Sequence, residues 1–298
     1  MARTLLLCGV LTVLATTVST APELVGGGGG RLQHTSKYVV IDAGSSGCRL
    51  HVYTLTQVPG KSLPQVELPD KKLKKSPGLS SFENNPDQAG ASLQGLLEFA
   101  KEHVPAEQRP LTPIRLAATA GLRLLPKATA DRILDSCYKF LKEKSTFRVT
   151  RDKISVISGR DEGAYGWLAI NFLLARLEGM DATADGTVGS IEMGGASSQV
   201  TVQLKGDAAV KSEDASTLYT LEVAGYNYSL YTHSYLGFGQ EQARSRFNDM
   251  IQGAAVVDPC FNKGYSIAPR SAASLGTQFT CFPSTKVQML TLTHAVAS

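Results

Sequence analysis

One short device occurs twice in this 298-residue chain, and it limits the folds open to it more than any other feature. The first copy runs from Tyr38 through Asp42 to Gly47, the second from Thr187 through Glu192 to Ser198. Each joins an apolar run, one carboxylate and a loop of Gly, Ala and Ser, and each is followed by an alternating run, Arg49 to Thr54 and Gln199 to Leu204. Strict alternation predicts half-buried strands, so the unit is strand, acid, small-residue turn, strand. Glycine lets backbone N–H groups crowd around an anion, and serine adds hydroxyl donors. A carboxylate at the mouth of such a turn repels phosphate on its own, which calls for a divalent cation or its water as mediator. Two such turns facing each other would clamp a polyphosphate from both sides.

The bulk numbers agree with a folded protein of one large or two small domains: 43% hydrophobic and 19% charged residues, with a net charge of +4. Part of that excess sits in Lys71, Lys72, Lys74 and Lys75, read as a solvated loop, with steering of an anionic substrate as the functional alternative. No basic surface interleaved with aromatics is evident, so nucleic acid is not an expected partner.

The N-terminus reads as a secretory signal over residues 1–21, with Arg3 ahead of the apolar run Leu5 to Val18 and small residues at Ser19 to Ala21. The expected location is the secretory-pathway lumen or the exterior, with an N-terminal signal anchor as the alternative; no later segment is long and apolar enough to span a bilayer. Residues 22–36, with Gly26 to Gly30, form a flexible spacer. Of the five cysteines, Cys8 leaves with the signal, Cys48 and Cys137 are expected as free buried thiols, and Cys260 and Cys281 as a disulfide in a loop-rich tail. None of the spacings suggests a zinc site.

Beyond the first turn the pattern predicts a polar loop from Gln57 to about Asn85, a helix opened by Pro86 with Asn85 as its cap, a strand over Ile114 to Ala118, and an amphipathic helix over Ala128 to Lys144 that buries Ile133, Leu134, Cys137, Phe140 and Leu141. A strand over Lys153 to Ile157 and an apolar helix over Asp161 to Arg176 follow. Strands over 187–191, 199–204 and 218–223 and a helix near Gly239 to Ile251 begin a second round. This order is similar to the ribonuclease-H-like unit of the actin-like ATPase superfamily. The expected fold is therefore α/β, a duplicated ribonuclease-H-like fold with two lobes and a central cleft: lobe I over 37–160 and lobe II, incomplete, over 161–298.

Four stretches in order carry a more specific resemblance. Asp42 to Gly47, Leu116 to Leu125, Ser158 to Leu174 and Glu192 to Gln199 resemble the first four conserved regions of the apyrases, the nucleoside triphosphate diphosphohydrolase family, and Tyr231 to Gly239 resembles a stretch those enzymes carry afterwards. The resemblance implies hydrolysis of the terminal phosphate of nucleoside tri- or diphosphates with Ca2+ or Mg2+. It implies that Asp42 and Glu192 hold the cation through water, and that Ser45, Ser46, Gly47, Gly194, Gly195 and Ala196 contact phosphate. Glu162 is implied as the general base, Ser197 and Gln199 as the groups that orient the attacking water, and Thr119 as a further hydroxyl near the terminal phosphate. On pattern alone Glu162 reads first as an acid favouring a helix N-terminus, and the resemblance reverses that preference.

Other residues draw plainer readings. Arg123 is expected in a surface or interdomain ion pair, His233 as structural, and Trp167 either in the core or near the site. Asn227-Tyr228-Ser229 is a glycosylation sequon whose neighbouring tyrosines point to partial burial. Two departures from the family pattern stand out. Glu192 replaces the usual aspartate, and no match to the family's fifth region, which contacts the base, precedes Ser298. The alternative to an active hydrolase is therefore a truncated nucleotide-binding fragment with little or no turnover.

Overall fold

Alternating apolar residues along β1 (His34–Gly44) and β2 (Gly47–Gln57) build an antiparallel hairpin closed by the Gly44–Gly47 pair, with Ser45 and Ser46 at its tip. Both faces of this hairpin are covered. Val39, Ile41, Ala43, Cys48, Leu50 and Val52 enter one core, whereas Val40, Tyr53 and Leu55 enter another. By the same alternation Asp42, Arg49 and His51 lie on the face of Val40 and Tyr53. The structure, a computed structural model, describes residues 34–177, 186–205 and 217–251. The signal and spacer, Cys8 and the Cys260–Cys281 pair fall outside the described residues.

A parallel strand, β5 (Ile114–Ala118), pairs with the free side of β1, and β6 (Ile154–Val156) pairs in parallel with β5. With β3 (Gln65–Val66) and β4 (Lys71–Lys75) both on β2, the sheet order is β3-β2-β1-β5-β6, and β4 also pairs β2. Helices α1 (Gln94–His103) and α3 (Lys127–Lys144) cover the first face, α1 through Leu96, Leu97 and Ala100 and α3 through Ile133, Leu134, Cys137 and Leu141. Each leucine or isoleucine among them withdrawn from water contributes about 1.5–3 kcal/mol. Cys48 and Cys137 are free and buried in this core, where burial pushes the Cys48 thiol up to about 12.

Two local expectations change. The lysine cluster is a strand rather than a loop: Lys71, Lys72, Lys74 and Lys75 are exposed while Leu73 turns inward, and the segment fills the edge that β2 offers. Lysines on an edge strand discourage pairing with another chain. The helix expected from Pro86 starts only at Gln94. Asn85 makes no side-chain cap, and two 3₁₀ turns, Pro86–Gln88 and Gly90–Leu93, come first. The Gly90 N–H donates to Ser136 Oγ at 2.9 Å, and the α3 backbone at Ser136 lies against Gly90, so tertiary contact fixes this stretch before helical propensity acts.

A buried pair ties β2 to the chain entering β4. His51 Nδ1 and Asp70 Oδ2 are 2.6 Å apart, with side chains only 1% and 6% exposed. Asp70→Ala removes the one hydrogen-bond partner that ring has among the described residues. The variant is expected to lose about 2 kcal/mol in urea unfolding, the usual cost of stranding a buried polar group; unchanged stability would show that the pair contributes nothing to the edge.

The second sheet, in order β7-β8-β10-β9, consists of β7 (Ser190–Met193), β8 (Ser197–Gln203), β9 (Leu218–Val223) and β10 (Tyr226–Leu236). Strand β10 was not foreseen. Its hairpin with β9 turns on Ala224 and Gly225, both at positive φ (52° and 84°), a left-handed pair that sequence reading expects from Asn-Gly rather than Ala-Gly. Helix α4 (Gly159–Leu173) packs on this sheet after a capping box in which Ser158 Oγ accepts the Asp161 N–H at 3.0 Å and Asp161 Oδ2 accepts the Ser158 N–H at 3.2 Å. Glycines let it approach. A Cβ on Gly163 would lie 2.5 and 2.7 Å from the hydroxyls of Thr232 and Thr201, which bond each other at 2.8 Å.

Further along, α4 buries Trp167, Leu168 and Phe172 against Tyr53 and Leu55 of the first sheet and Tyr228 and Leu230 of the second. Trp167 is thus a core residue, its ring tilted on Tyr228 at 5.3 Å. Buried Asn171 clamps the chain entering β7: its Nδ2 donates to Val188 O at 3.0 Å and its Oδ1 accepts the Val188 N–H at 2.8 Å. Where β1 has β5 on its outer side, β7 has no partner there among the described residues. Helix α5 (Gln240–Ile251) follows β10; from Arg244 the chain counts to a second compact unit, whose described part is the remainder of that helix.

Candidate active site

The first turn is set by register. Asp42 pairs across the hairpin with Arg49, whose Nη1 donates to Asp42 Oδ2 at 3.3 Å, and Asp42 is only 7% exposed. The glycines here are needed for close approach, since neither Gly44 nor Gly47 adopts a left-handed φ. A Cβ on Gly47 would lie 2.6 Å from the Lys75 carbonyl of β4. Ser45 is half-buried and Ser46 exposed. At the end of β5, buried Thr119 donates its N–H to Ala43 O at 3.3 Å and opens the short helix α2 (Ala120–Arg123), which delivers Arg123.

The second turn, Gly194 to Ala196, joins β7 and β8, with the Gly194 N–H donated to Ser197 O at 2.8 Å. The carbonyls of Gly194 and Gly195 accept the amides of Gln240 and Glu241, each at 2.9 Å, so the first turn of α5 is seated on this loop. Ser45 Oγ stands where a Cβ on Gly195 would be, which puts the tips of the two turns against each other.

Between and beneath them lies a buried polar cluster. Glu162, 5% exposed, accepts a hydrogen bond and ion pair from Arg123 Nη2. Gln199 Nε2 lies 3.1 Å from Glu162 Oε2, 2.6 Å from Ser197 Oγ and 3.1 Å from Ser234 Oγ, and Arg123 Nη2 also reaches Ser197 Oγ at 3.2 Å. Glu192 contributes a buried Oε2 with no partner among the described residues, facing Gly166, whose Cβ would come within 3.1 Å of it. Among the same residues Arg123 Nε and Nη1 are buried without a partner.

The electrostatics follow from this crowding. Burial is the main force raising the pKa of Asp42, opposed by Arg49 and His51. Burial likewise raises Glu162, opposed by Arg123 and reinforced by Asp42. Glu192 is pushed up to about 8 by burial, with Glu162 and Asp42 adding to it and Arg123 opposing. Three carboxylates feel one another in a space that also holds an orphaned acceptor and orphaned donors. Such groups are costly unless paired, and a cation with an anion would satisfy both kinds. Among the described residues no three His, Cys, Asp or Glu side chains gather closely enough to ligate an ion directly. Asp42 and Glu192 therefore fit a cation held through water and completed by phosphate oxygens, the arrangement Mg2+ favours.

The fold thus brings Asp42, Glu162, Glu192, Ser197, Gln199, Ser45 and Gly195 together, with Gly47, Gly194, Ala196 and Thr119 in the backbone that carries them and Ser46 outward at the tip. Arg123, expected in a surface or interdomain ion pair, is paired with Glu162, and the pair is buried rather than at the surface. Arg49 was missed, though a two-residue hairpin after Asp42 places it opposite by register alone. Ser234 was also missed, and nothing local to its sequence signals it. His233 points to the other face of β10 from Ser234, its ring 4.4 Å from that of Tyr235, as a structural residue would.

Comparison with known proteins gives a consistent result. The sequence model of the GDA1/CD39 (nucleoside phosphatase) family matches residues 31–282. The chain is 40% identical over 206 residues to the human nucleoside diphosphate phosphatase ENTPD5, covering 69% of this chain and 47% of that protein. It is 40% identical over 242 residues to a nucleoside-triphosphatase of Pisum sativum, covering 78% and 51%. The chain spans about half the length of these curated relatives. A crystal structure of nucleoside triphosphate hydrolases from Neospora caninum shares the fold at TM-score 0.50 and 19% identity, over 70% of this chain and 46% of that one.

Proposed function

Since the chain belongs to the GDA1/CD39 (nucleoside phosphatase) family, we propose that it hydrolyses the terminal phosphate of nucleoside tri- and diphosphates, with Ca2+ or Mg2+ held through water by Asp42 and Glu192. The observation that carries the reading is Glu162, buried and bonded to Arg123 and Gln199 beside the Ser197 hydroxyl. Backbone amides and hydroxyls of Ser45, Ser46, Gly47, Gly194, Gly195 and Ala196 hold the phosphates from two sides, and the Thr119 hydroxyl adds a donor from β5. Ser197 and Gln199 hold a water in line with the bridging oxygen of the terminal phosphate. As the new O–P bond forms, Glu162 takes the water's proton; the bridging P–O bond breaks and its electron pair leaves with the shortened nucleotide. Arg123 opposes the rise that burial imposes on Glu162, and its remaining N–H groups complement the charge that gathers on the equatorial oxygens. The cation, when bound, neutralises phosphate charge and orients the substrate.

The N-terminal Arg3 and the apolar run after it support entry into the secretory pathway, where an exposed Asn227 is open to a glycan. Among the described residues no helix is long and apolar enough to cross a membrane.

Purified chain is expected to release phosphate from nucleotides with Ca2+ or Mg2+ present and to stop on addition of EDTA. Phosphate release that ignores the chelator would remove the cation from the scheme. A second reading is a chain that binds nucleotide without turning it over. Thermal stabilisation by nucleotide plus cation, without any phosphate release, would establish it instead.

A further inference from the structure

Seated on the second turn is a negative charge that phosphate binding does not call for. Glu241 donates its amide to Gly195 O at 2.9 Å, and its Oε2 lies 2.8 Å from the point where a Cβ on Gly195 would sit. Ser45 Oγ reaches the same point from the first turn. A carboxylate therefore stands on the seam between the two turns, among the donors expected to face phosphate. Unlike Asp42 and Glu162, which are buried, Glu241 is exposed, so it belongs to the rim of the cluster and not to its floor.

Position along the substrate gives this charge a consequence. On the hydrolytic reading proposed above, the terminal phosphorus lies beside Glu162 and the rest of the nucleotide runs outward past the seam. In a diphosphate the group beyond the second phosphate is the sugar, whose hydroxyls donate to a carboxylate. In a triphosphate it is another phosphate, which a carboxylate repels. We propose that Glu241 is a specificity-determining residue that biases the site toward nucleoside diphosphates over triphosphates. This rests on the hydrolytic reading above and adds the residue that sets chain-length preference.

The test compares wild type, Glu241→Gln and Glu241→Lys in the full chain, with ADP and ATP plus Mg2+ as probes. The readouts are kcat/KM for each nucleotide and thermal stabilisation by non-hydrolysable di- and triphosphate analogues. The triphosphate-to-diphosphate ratio is expected to rise about threefold in Glu241→Gln and about tenfold in Glu241→Lys, the latter equal to about 1.4 kcal/mol. The difference should shrink as salt is added, because the group is exposed. A ratio that stays constant in both variants overturns the proposal, as does one that falls, which would make Glu241 a cation-holding group. Analogue binding separates the two claims. If the binding ratio shifts as expected while no protein turns over either nucleotide, the role of Glu241 stands and the hydrolytic reading fails; if wild type binds neither analogue, both fail.

Discussion

Glu162→Gln is expected to lower phosphate release by about 10³-fold while changing nucleotide affinity little, because general-base removal costs on the order of 10²–10⁴ in rate. The substitution is close to isosteric. Glutamine keeps an acceptor for Arg123 Nη2 and a neighbour for Gln199, so the arrangement around Ser197 survives. It cannot take a proton at neutral pH. The loss should therefore appear in kcat, with KM and the thermal shift from nucleotide plus cation close to wild type. The variant also leaves the Arg123 guanidinium without its counter-charge in a buried setting, so a stability loss of about 1–3 kcal/mol is expected alongside. That loss is read separately by unfolding without nucleotide. Turnover equal to wild type in a folded variant would take Glu162 out of the chemistry and leave it as a partner for Arg123 alone.

How much of this was legible in the sequence depended on whether the signal was local. The hairpin β1–β2 was legible because alternation over Val39 to Val52 leaves no other way to divide its apolar residues, and the buried face of α3 was legible from its helical spacing. Strand β4 was not, because Lys71 to Lys75 carry a single apolar residue and become a strand only when β2 presents an open edge. Strand β10 was hidden for a different reason: Tyr226 to Leu236 alternates, but its turn uses Ala224 where left-handed geometry advertises itself through Asn or Asp. The helix after Pro86 started late because Gly90 is held by Ser136, a contact 46 residues away in sequence.

The same divide runs through the site. The acids Asp42 and Glu192 were visible as copies of one device, and Glu162 through its neighbours along α4. Arg123 and Ser234 could not be assigned from their surroundings in sequence, since each meets Glu162 or Gln199 only after two sheets and a helix have packed. At Gly47, Gly163 and Gly195 glycine makes room for a neighbouring backbone or side chain without adopting a left-handed φ, a requirement of tertiary contact that the local sequence does not display.

Chelator-treated protein is expected to lose stability as pH climbs from about 5 toward 8, by on the order of 1 kcal/mol per pH unit at the steepest. The sign follows from Glu192. Its folded-state pKa is pushed up to about 8, mainly by burial, whereas in the unfolded chain it returns to about 4.3. Below the unfolded value both states hold the proton, and the folded state has its full stability. Between the two values the folded state keeps a proton that the unfolded state has released, so stability falls with rising pH until the folded group also ionises. Asp42 and Glu162 are raised in the same direction, so Glu192→Gln should flatten the slope without abolishing it. A divalent cation needs the ionised carboxylate and competes with the proton for it. Added Ca2+ or Mg2+ should therefore raise the midpoint of thermal unfolding more at about pH 8 than at about pH 6, and this pH dependence should weaken in Glu192→Gln, which has no charge to offer. If the chelated protein is as stable at the upper end of that range as at the lower, Glu192 is ionised throughout, and the crowding of three carboxylates around one guanidinium does not govern the site.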